Sequence, residues 1–503
     1  MEKLVLLGLD GADWRIINPL IAEGCLPNFK KVVEKGSRSG LESTVPPFTP
    51  PAWSSIFSGV NPGKHGIFDF FRVVKGERRF TSSRDMQVPY IWELMEKEKI
   101  IAFNIPTCYP PVKTENTIMV CGLGTPGTLS NFTYPNEIKN EIREAIPRYE
   151  VFLGAEGQDL DTGSVSDSKK FSEKVMENLK CKKLAAKHLL ENKEWDAGFV
   201  VFSAPDWMQH FFMNEFSNAE RKSDTNIASV YKSIDEFLGY LINKGYNIII
   251  VSDHGFAEVK RKFFVNTYLA KKGLLKSKKL PLFKRVLRKS GISKEFIRTT
   301  WPFSGIFNIA VNSKNIARFG SKVIPTEKPR TEDIDHEKSM AFLASSNGPV
   351  EVKSEKDVEF VKKVLAESRD DKGPVFKEIY AKNEIYCGKA LDAMPHIMLV
   401  PRPDVLLKEN IGEEIFGEID PQKDKSGSHD EIGVFAAYGP DFVKKELDNV
   451  SVIDITPTIL SYYGYSVPDY MDGKMIALFE SSNKKSTLKQ ETKSRIKKLF
   501  GKL

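Results

Sequence analysis

The stretch NIIIVSDHGF, residues 247–256, decides how the chain is read. Ile248 to Val251 form a continuous β-branched run, the pattern of a strand covered on both faces of a sheet. Asp253 and His254 follow at the strand end, and Gly255 lets the backbone turn tightly after them. A carboxylate beside an imidazole offers a hard oxygen and a borderline nitrogen, a mixture that suits zinc or manganese.

Similar short apolar runs occur on both sides of this stretch. They are LVLLGL (4–9), IIAFNI (100–105), AGFVVFSA (197–204), FNIAVN (307–312), HIMLVP (396–401) and GVFAAYG (433–439). Between them lie longer amphipathic segments: Asp167 to Glu191, Thr225 to Lys244, Glu355 to Glu367 and Ile455 to Tyr463. Strands alternating with helices predict an α/β protein with a mostly parallel central sheet. In such sheets ligands bind beyond the carboxyl ends of the strands.

Composition narrows the class. The chain has 503 residues, 41% hydrophobic and 28% charged, which is ordinary for a globular protein. Its net charge of +7 is too small to indicate nucleic-acid binding, and no specific nucleic-acid partner is expected. The charge fits a small anionic substrate or an anionic surface. Five cysteines without CxxC spacing, and an N-terminus that runs straight into a strand, predict a cytoplasmic protein with reduced thiols. No apolar run reaches the roughly 18 residues of a membrane span. From Lys260 to Arg298 there are fourteen Lys or Arg and one acidic residue, Glu295. This stretch reads as a basic helical insertion, either a solvated surface or an electrostatic funnel. The basic tail after residue 480 carries Ile496, Leu499 and Phe500, which allow weak contact with a membrane surface. The expected organisation is a catalytic core over 1–260 and 301–480, the insertion over 261–300, and the tail over 481–503. Oligomeric state is open.

Further acidic and imidazole groups sit where a site would form. Asp10 ends the strand LVLLGL and serves either as a ligand or as a helix cap. In SAPDWMQH, Asp206 and His210 are four apart and share a helix face if a helix starts near Asp206. His429 lies in KSGSHDEIGVF, a Ser/Gly loop able to carry a distant imidazole to the site. In TVPPFTPPAWSSIFSGVNPGKHGIFDF, a helix is predicted to begin at Thr49, where Pro is tolerated and backbone amides are available to a phosphoryl oxygen. Thr44, Ser54 and Ser55 are rival hydroxyls. GVNPGKH lacks the spacing and hydroxyl residue of a P-loop.

Five blocks, in order, carry a resemblance: LGLDGAD, FTPPAWSSIFSGVNPGKHGIFDF, FSAPDWMQH, VSDHGF and SGSHDEIGVFAAYGP. Together they resemble the type I phosphodiesterase/nucleotide pyrophosphatase branch of the alkaline phosphatase superfamily. VPDYMDGK, around Asp472 and Gly473, resembles that superfamily's closing signature. The resemblance implies an alkaline-phosphatase-like three-layer α/β/α sandwich with an inserted cap. Ser58-Gly59, Pro62 and His65-Gly66-Ile67 fit the family spacing when Thr49 is the nucleophile, which selects it among the hydroxyls. The resemblance further implies two divalent metal ions, zinc or in some relatives manganese. One set of ligands is Asp10, Thr49, Asp253 and His254; the other is Asp206, His210 and His429. His65 is read as structural. The family's phosphate-binding Asn is replaced here by the stretch IFDFF, with Asp69 or Phe70 in that neighbourhood, and Asn104 is the substitute donor considered.

The implied activity is hydrolysis of phosphate esters through a covalent phospho-threonine, with the ions about 4 Å apart. The alternatives are a phosphomonoesterase, phosphomutase or head-group phosphotransferase of the same superfamily, or a non-catalytic protein that binds anionic surfaces. The nucleophile block has no Cys and no CxPxR pattern, which argues against a sulfatase.

Overall fold

The structure, a computed structural model, describes residues 2–74, 77–151, 153, 168–278, 333–420, 424–448 and 450–479. FNIAVN, most of the basic insertion and the C-terminal tail lie outside these residues. The chain divides into two compact units.

The first unit holds the described residues of 1–260, 382–394 and 419 onward. Its centre is a nine-stranded sheet. In spatial order the strands are Val450–Ser451, Ser37–Glu42, Ile432–Tyr438, Asn247–Val251, Leu4–Leu9, Ala197–Phe202, Ile100–Ile105, Thr117–Cys121 and Thr133–Tyr134. The five strands from Asn247–Val251 to Thr117–Cys121 are parallel neighbours. Ile432–Tyr438 joins them antiparallel, against Asn247–Val251. Every residue of Leu4–Leu9, Ala197–Phe202 and Asn247–Val251 is buried. That is why these strands read as unbroken apolar runs rather than alternating ones.

Side-chain direction shows that both faces are covered. A Cβ on Gly8 would meet the Trp53 ring at 2.5 Å, so the helix Thr49–Ile56 approaches the sheet closely there. Phe199, on that same face, packs its ring 5.9 Å from Phe57. Gly198 and Phe202 point the other way, toward Leu190 of the helix Ser168–Asn192 and Phe237 of the helix Asn226–Asn243. Helices therefore lie on both sides of a mostly parallel sheet, the α/β/α arrangement expected from the sequence. The predicted helices over 167–191, 225–244, 355–367 and 455–463 appear as Ser168–Asn192, Asn226–Asn243, Val358–Ala366 and Ile455–Tyr462.

The second unit comprises described residues of 261–381 and 395–418. It has its own core, with Phe263, Leu269, Val361, Leu365 and Leu399 at its centre. A four-stranded sheet runs Ala341–Leu343, Pro349–Val352, Ile397–Pro401, Phe376–Ala381, with antiparallel neighbours. Two findings here differ from the sequence reading. HIMLVP supplies a strand to this small antiparallel sheet and not to the central one. The stretch 301–480, read as one part of the core, is shared between the units. Apolar content alone does not say which sheet a strand joins; its pairing partners do. Of the basic insertion, the described part forms the strand Arg261–Phe264 and the helix Val265–Lys271.

Candidate active site

Three neighbouring strands of the first unit end at one place. Asp10 directly follows Leu4–Leu9. Asp253 and His254 follow Asn247–Val251, with Ser252 between. The helix Ala204–Asn218 begins just after Ala197–Phe202 and carries Asp206 in its first turn, with His210 one turn later. Asp13, not Asp10, caps the helix Trp14–Ala22 by accepting from Arg15 N, so the Asp10 carboxylate is not used as a cap.

His429 arrives differently from its expectation as a loop residue. Gly427–Asp430 is a strand, paired antiparallel with Gly255–Glu258, and His429 lies opposite Phe256. The ladder fixes the imidazole where a flexible loop would not. Thr49 opens the helix Thr49–Ile56 and is buried. Only part of the expected amide cradle is present. Pro50 and Pro51 carry no N–H and Ala52 N donates to Phe48 O, so at most the Thr49 N–H of this first turn is available to an anion.

These groups converge. His254 Nε2 lies 3.5 Å from Thr49 Oγ1, 3.3 Å from Asp253 Oδ2 and 3.6 Å from Asp10 Oδ1. Asp206 Oδ1 lies 3.4 Å from His210 Nε2 and 3.3 Å from His429 Nε2. The ligand atoms of Asp206, His210 and His429 fall within 4.8 Å of one another, as do those of Asp10, Asp206 and His254. Asp206 is common to both groups.

The donor set fits metal ions on four grounds. First, Asp10 Oδ1, Asp206 Oδ1 and Asp253 Oδ2 are buried carboxylate oxygens with no hydrogen-bond partner, a costly state unless a cation meets them. Second, His210 and His254 place Nδ1 3.0 Å from the carbonyls of Gly427 and Gly255. A carbonyl only accepts, so each Nδ1 carries the proton and each Nε2 presents its lone pair to the cluster. The spacing agrees too: tetrahedral bonds of about 2.0–2.1 Å put ligand atoms about 3.3–3.4 Å apart. Charge tells the same story. Burial first, then the facing carboxylates, hold Asp10 well above the usual carboxylate range, and burial raises Asp253 likewise. Burial alone would raise Asp206 as well, but His210 and His429 outweigh it and hold that carboxyl below its ordinary value. Burial pushes His254 well below the usual imidazole range.

Two other candidates lie elsewhere. Asn104 is buried in a polar knot: its Nδ2 donates to Val201 O at 2.8 Å and its Oδ1 accepts from Lys182 Nζ at 2.7 Å. The amide thus serves the fold rather than an open site. His65 is fully buried; it accepts from Ile67 N at Nδ1, and its Nε2 donates to Ser55 Oγ at 3.0 Å, a structural role. Asp472 of VPDYMDGK accepts from Asn61 N and Nδ2 and pairs with Lys64, pinning the turn after the Thr49 helix.

The sequence reading missed groups that have no chemistry of their own in sequence. Gln209, fully buried, donates to Gly11 O and accepts from Tyr231 Oη. Phe48 stacks on His429, with ring centroids 5.7 Å apart, and meets Phe70 edge-on. Arg15 bridges Asp13 and Asp430. The one available signal was the Asp13-x-Arg15 pair at a helix start.

Carboxylates and imidazoles thus gather beyond the carboxyl ends of a parallel sheet, beside a buried threonine, and the family match makes the chain a phosphoester hydrolase. Residues 4–430 match the family model for type I phosphodiesterase/nucleotide pyrophosphatase, and the chain belongs to that family. No curated protein sequence matches it. Among solved structures it is similar to phosphonoacetate hydrolase from Sinorhizobium meliloti in complex with phosphonoformate, at 14% identity, TM-score 0.54, covering 90% of this chain and 94% of that one. It is also similar to murine ectonucleotide pyrophosphatase/phosphodiesterase 5, at 14% identity, TM-score 0.51, covering 93% and 96%. An inactive threonine-to-alanine form of the murine protein, in complex with AMP, matches at 13% identity, TM-score 0.51, covering 93% and 96%. At these identities the likeness speaks for the fold. Among the described residues no helix is long and apolar enough to cross a membrane.

Proposed function

We propose that the chain hydrolyses phosphate diesters through a covalent phospho-threonine on Thr49, with two divalent metal ions in attendance. Asp10, Thr49, Asp253 and His254 would hold one ion, and Asp206, His210 and His429 the other. The observation that carries this reading is the 3.5 Å approach of Thr49 Oγ1 to His254 Nε2, beside the partnerless oxygens of Asp10 and Asp253. The mixture of imidazole and carboxylate favours zinc, with manganese the alternative.

When bound, such ions lower the pKa of a coordinated alcohol and neutralise phosphoryl oxygens. The residues of the chain do the rest. The first turn of the Thr49 helix holds the hydroxyl against the cluster, so attack needs no search. The Thr49 hydroxyl releases its proton to solvent and its oxygen forms a bond to phosphorus as the ester P–O bond breaks, the leaving oxygen taking a proton from solvent. Water then attacks phosphorus, the Thr49 O–P bond breaks, and a proton of that water passes to the Thr49 oxygen, which regenerates threonine. The inactive threonine-to-alanine form of the murine relative is in keeping with a threonine as nucleophile.

The diester preference is supported by the apolar side of the site, where Phe48 stacks on His429 and Phe70 meets Phe48 edge-on. A second reading, a phosphomonoesterase, is favoured by Lys425, whose charge, after burial, is the next largest influence pushing His210 down to about 3. Rates on bis(4-nitrophenyl) phosphate and 4-nitrophenyl phosphate separate the two. Faster turnover of the diester upholds the first. A monoester preference lost in Lys425→Ala upholds the second. The cytoplasmic reading is retained on the free state of all five cysteines.

A further inference from the structure

We propose that Arg15 is a positioning residue which, through Asp430, holds His429 in place for the second metal ion. The inference rests on the two-ion reading above. His429 sits on a two-stranded ladder, Gly255–Glu258 with Gly427–Asp430, that is separate from the nine-stranded sheet. A two-stranded ladder of four residue pairs is marginal by itself, so something outside it must fix its place.

Arg15 makes that tie. Asp13 Oδ1 accepts from Arg15 N at 2.7 Å and from Arg15 Nε at 3.1 Å, and Asp13 Oδ2 accepts from Arg15 Nη2 at 2.7 Å. Asp13 Oδ2 also accepts from Phe256 N at 3.1 Å, on the first strand of the ladder. Arg15 Nη2 reaches Phe256 O at 3.0 Å and Asp430 Oδ2 at 2.5 Å, so one guanidinium touches both strands. Asp430 lies opposite Gly255 and directly follows His429, while Gly255 directly follows His254. The carboxylate of Asp13 packs so near the ladder that a Cβ on Gly255 would lie 2.7 Å from its Oδ2.

Exposed ion pairs contribute little on average, and the Arg15 side chain is 54% exposed. This pair differs because its Asp13 partner is 4% exposed and is gripped by two guanidinium nitrogens. The two imidazoles depend on the tie unequally. His254 is fully buried at the end of a central strand, whereas His429 retains 12% side-chain exposure and lies on the short ladder with Phe48 stacked on it. Loosening the ladder therefore releases His429 first.

The test uses the full-length, zinc-loaded protein and follows ion release to a chromogenic chelator. Wild type should release two ions. Arg15→Met and Asp430→Ala should each release one of them at least about 10-fold faster, with the other unchanged, and Asp430→Asn should fall between. Asp430→Ala, at a partly exposed position, decides alone should Arg15→Met fail to fold. Equal release rates for variants and wild type, or equal acceleration of both ions, overturns the Arg15 proposal alone. A wild type that holds fewer than two ions overturns the two-ion reading and this proposal with it.

Discussion

The Nε2 atoms of His210 and His429 lie 3.2 Å apart, although 219 residues separate them in the chain. Gly427 O holds the His210 proton on Nδ1, so the Nε2 that faces His429 is a bare lone pair. The partnerless Asp206 Oδ1 faces both nitrogens. A carboxylate oxygen and two imidazole nitrogens this close, with the His210 Nε2 lone pair among them, form a ligand set that a cation would satisfy.

Asp206→Ala and His429→Ala should therefore each lower zinc content from two ions to about one per chain. Elemental analysis after dialysis measures this. Unchanged stoichiometry would remove these residues from the ligand set.

Thr49→Ala should reduce turnover by at least about 10³-fold while leaving ion content nearly intact, since three other groups face the first site. Thr49→Ser should keep measurable activity. Steady-state rates and metal analysis on the same preparations check both. Wild-type turnover in the alanine variant would assign the nucleophile elsewhere.

Metal binding should release protons. Burial and mutual repulsion raise the carboxyls of Asp10 and Asp253, so the metal-free protein carries protons there that an incoming cation must displace. Apparent affinity should accordingly be tighter at pH 8 than at pH 6. Calorimetric titration in buffers of different ionisation enthalpy counts the protons; an affinity independent of pH would contradict the carboxyl assignment.

Lys182 should give the fold a distinctive pH dependence. Burial pushes its ammonium down to about 7, while its Nζ donates to Asn104 Oδ1, Val151 O and Tyr149 Oη. An unfolded lysine titrates near 10.4, so between about pH 7 and 10.4 the unfolded chain binds more protons and stability rises with pH, by at most about 1.4 kcal/mol per unit. Below about pH 7 both states are protonated and the slope vanishes. Lys182→Met removes this slope, so the stability of wild type relative to the variant should rise from pH 7 to pH 9. Denaturant melts at the two pH values measure it, and a constant gap would show that Lys182 stays charged when folded.

Much of the fold was legible because buried parallel strands leave continuous apolar runs. LVLLGL, AGFVVFSA and NIIIVSD became three adjacent central strands. The Asp206–His210 spacing was legible because a helix puts residues four apart on one face. The setting of Asn104 was not legible because its partner, Lys182, lies 78 residues away in a helix whose sequence gives no sign of that contact. Which sheet HIMLVP joins was not legible, because an apolar run carries no label for its neighbour.

By itself, then, the sequence determined the local conformations and the kinds of donor atoms at their ends, since both follow from short-range sterics and side-chain chemistry. Only the tertiary structure decided which ends meet. The order of strands brings Asp10, Asp206 and Asp253 to one edge, and the pairing of Gly427–Asp430 with Gly255–Glu258 delivers His429 to them. Those pairings are backbone hydrogen bonds between segments well over a hundred residues apart, and no local pattern encodes their partners.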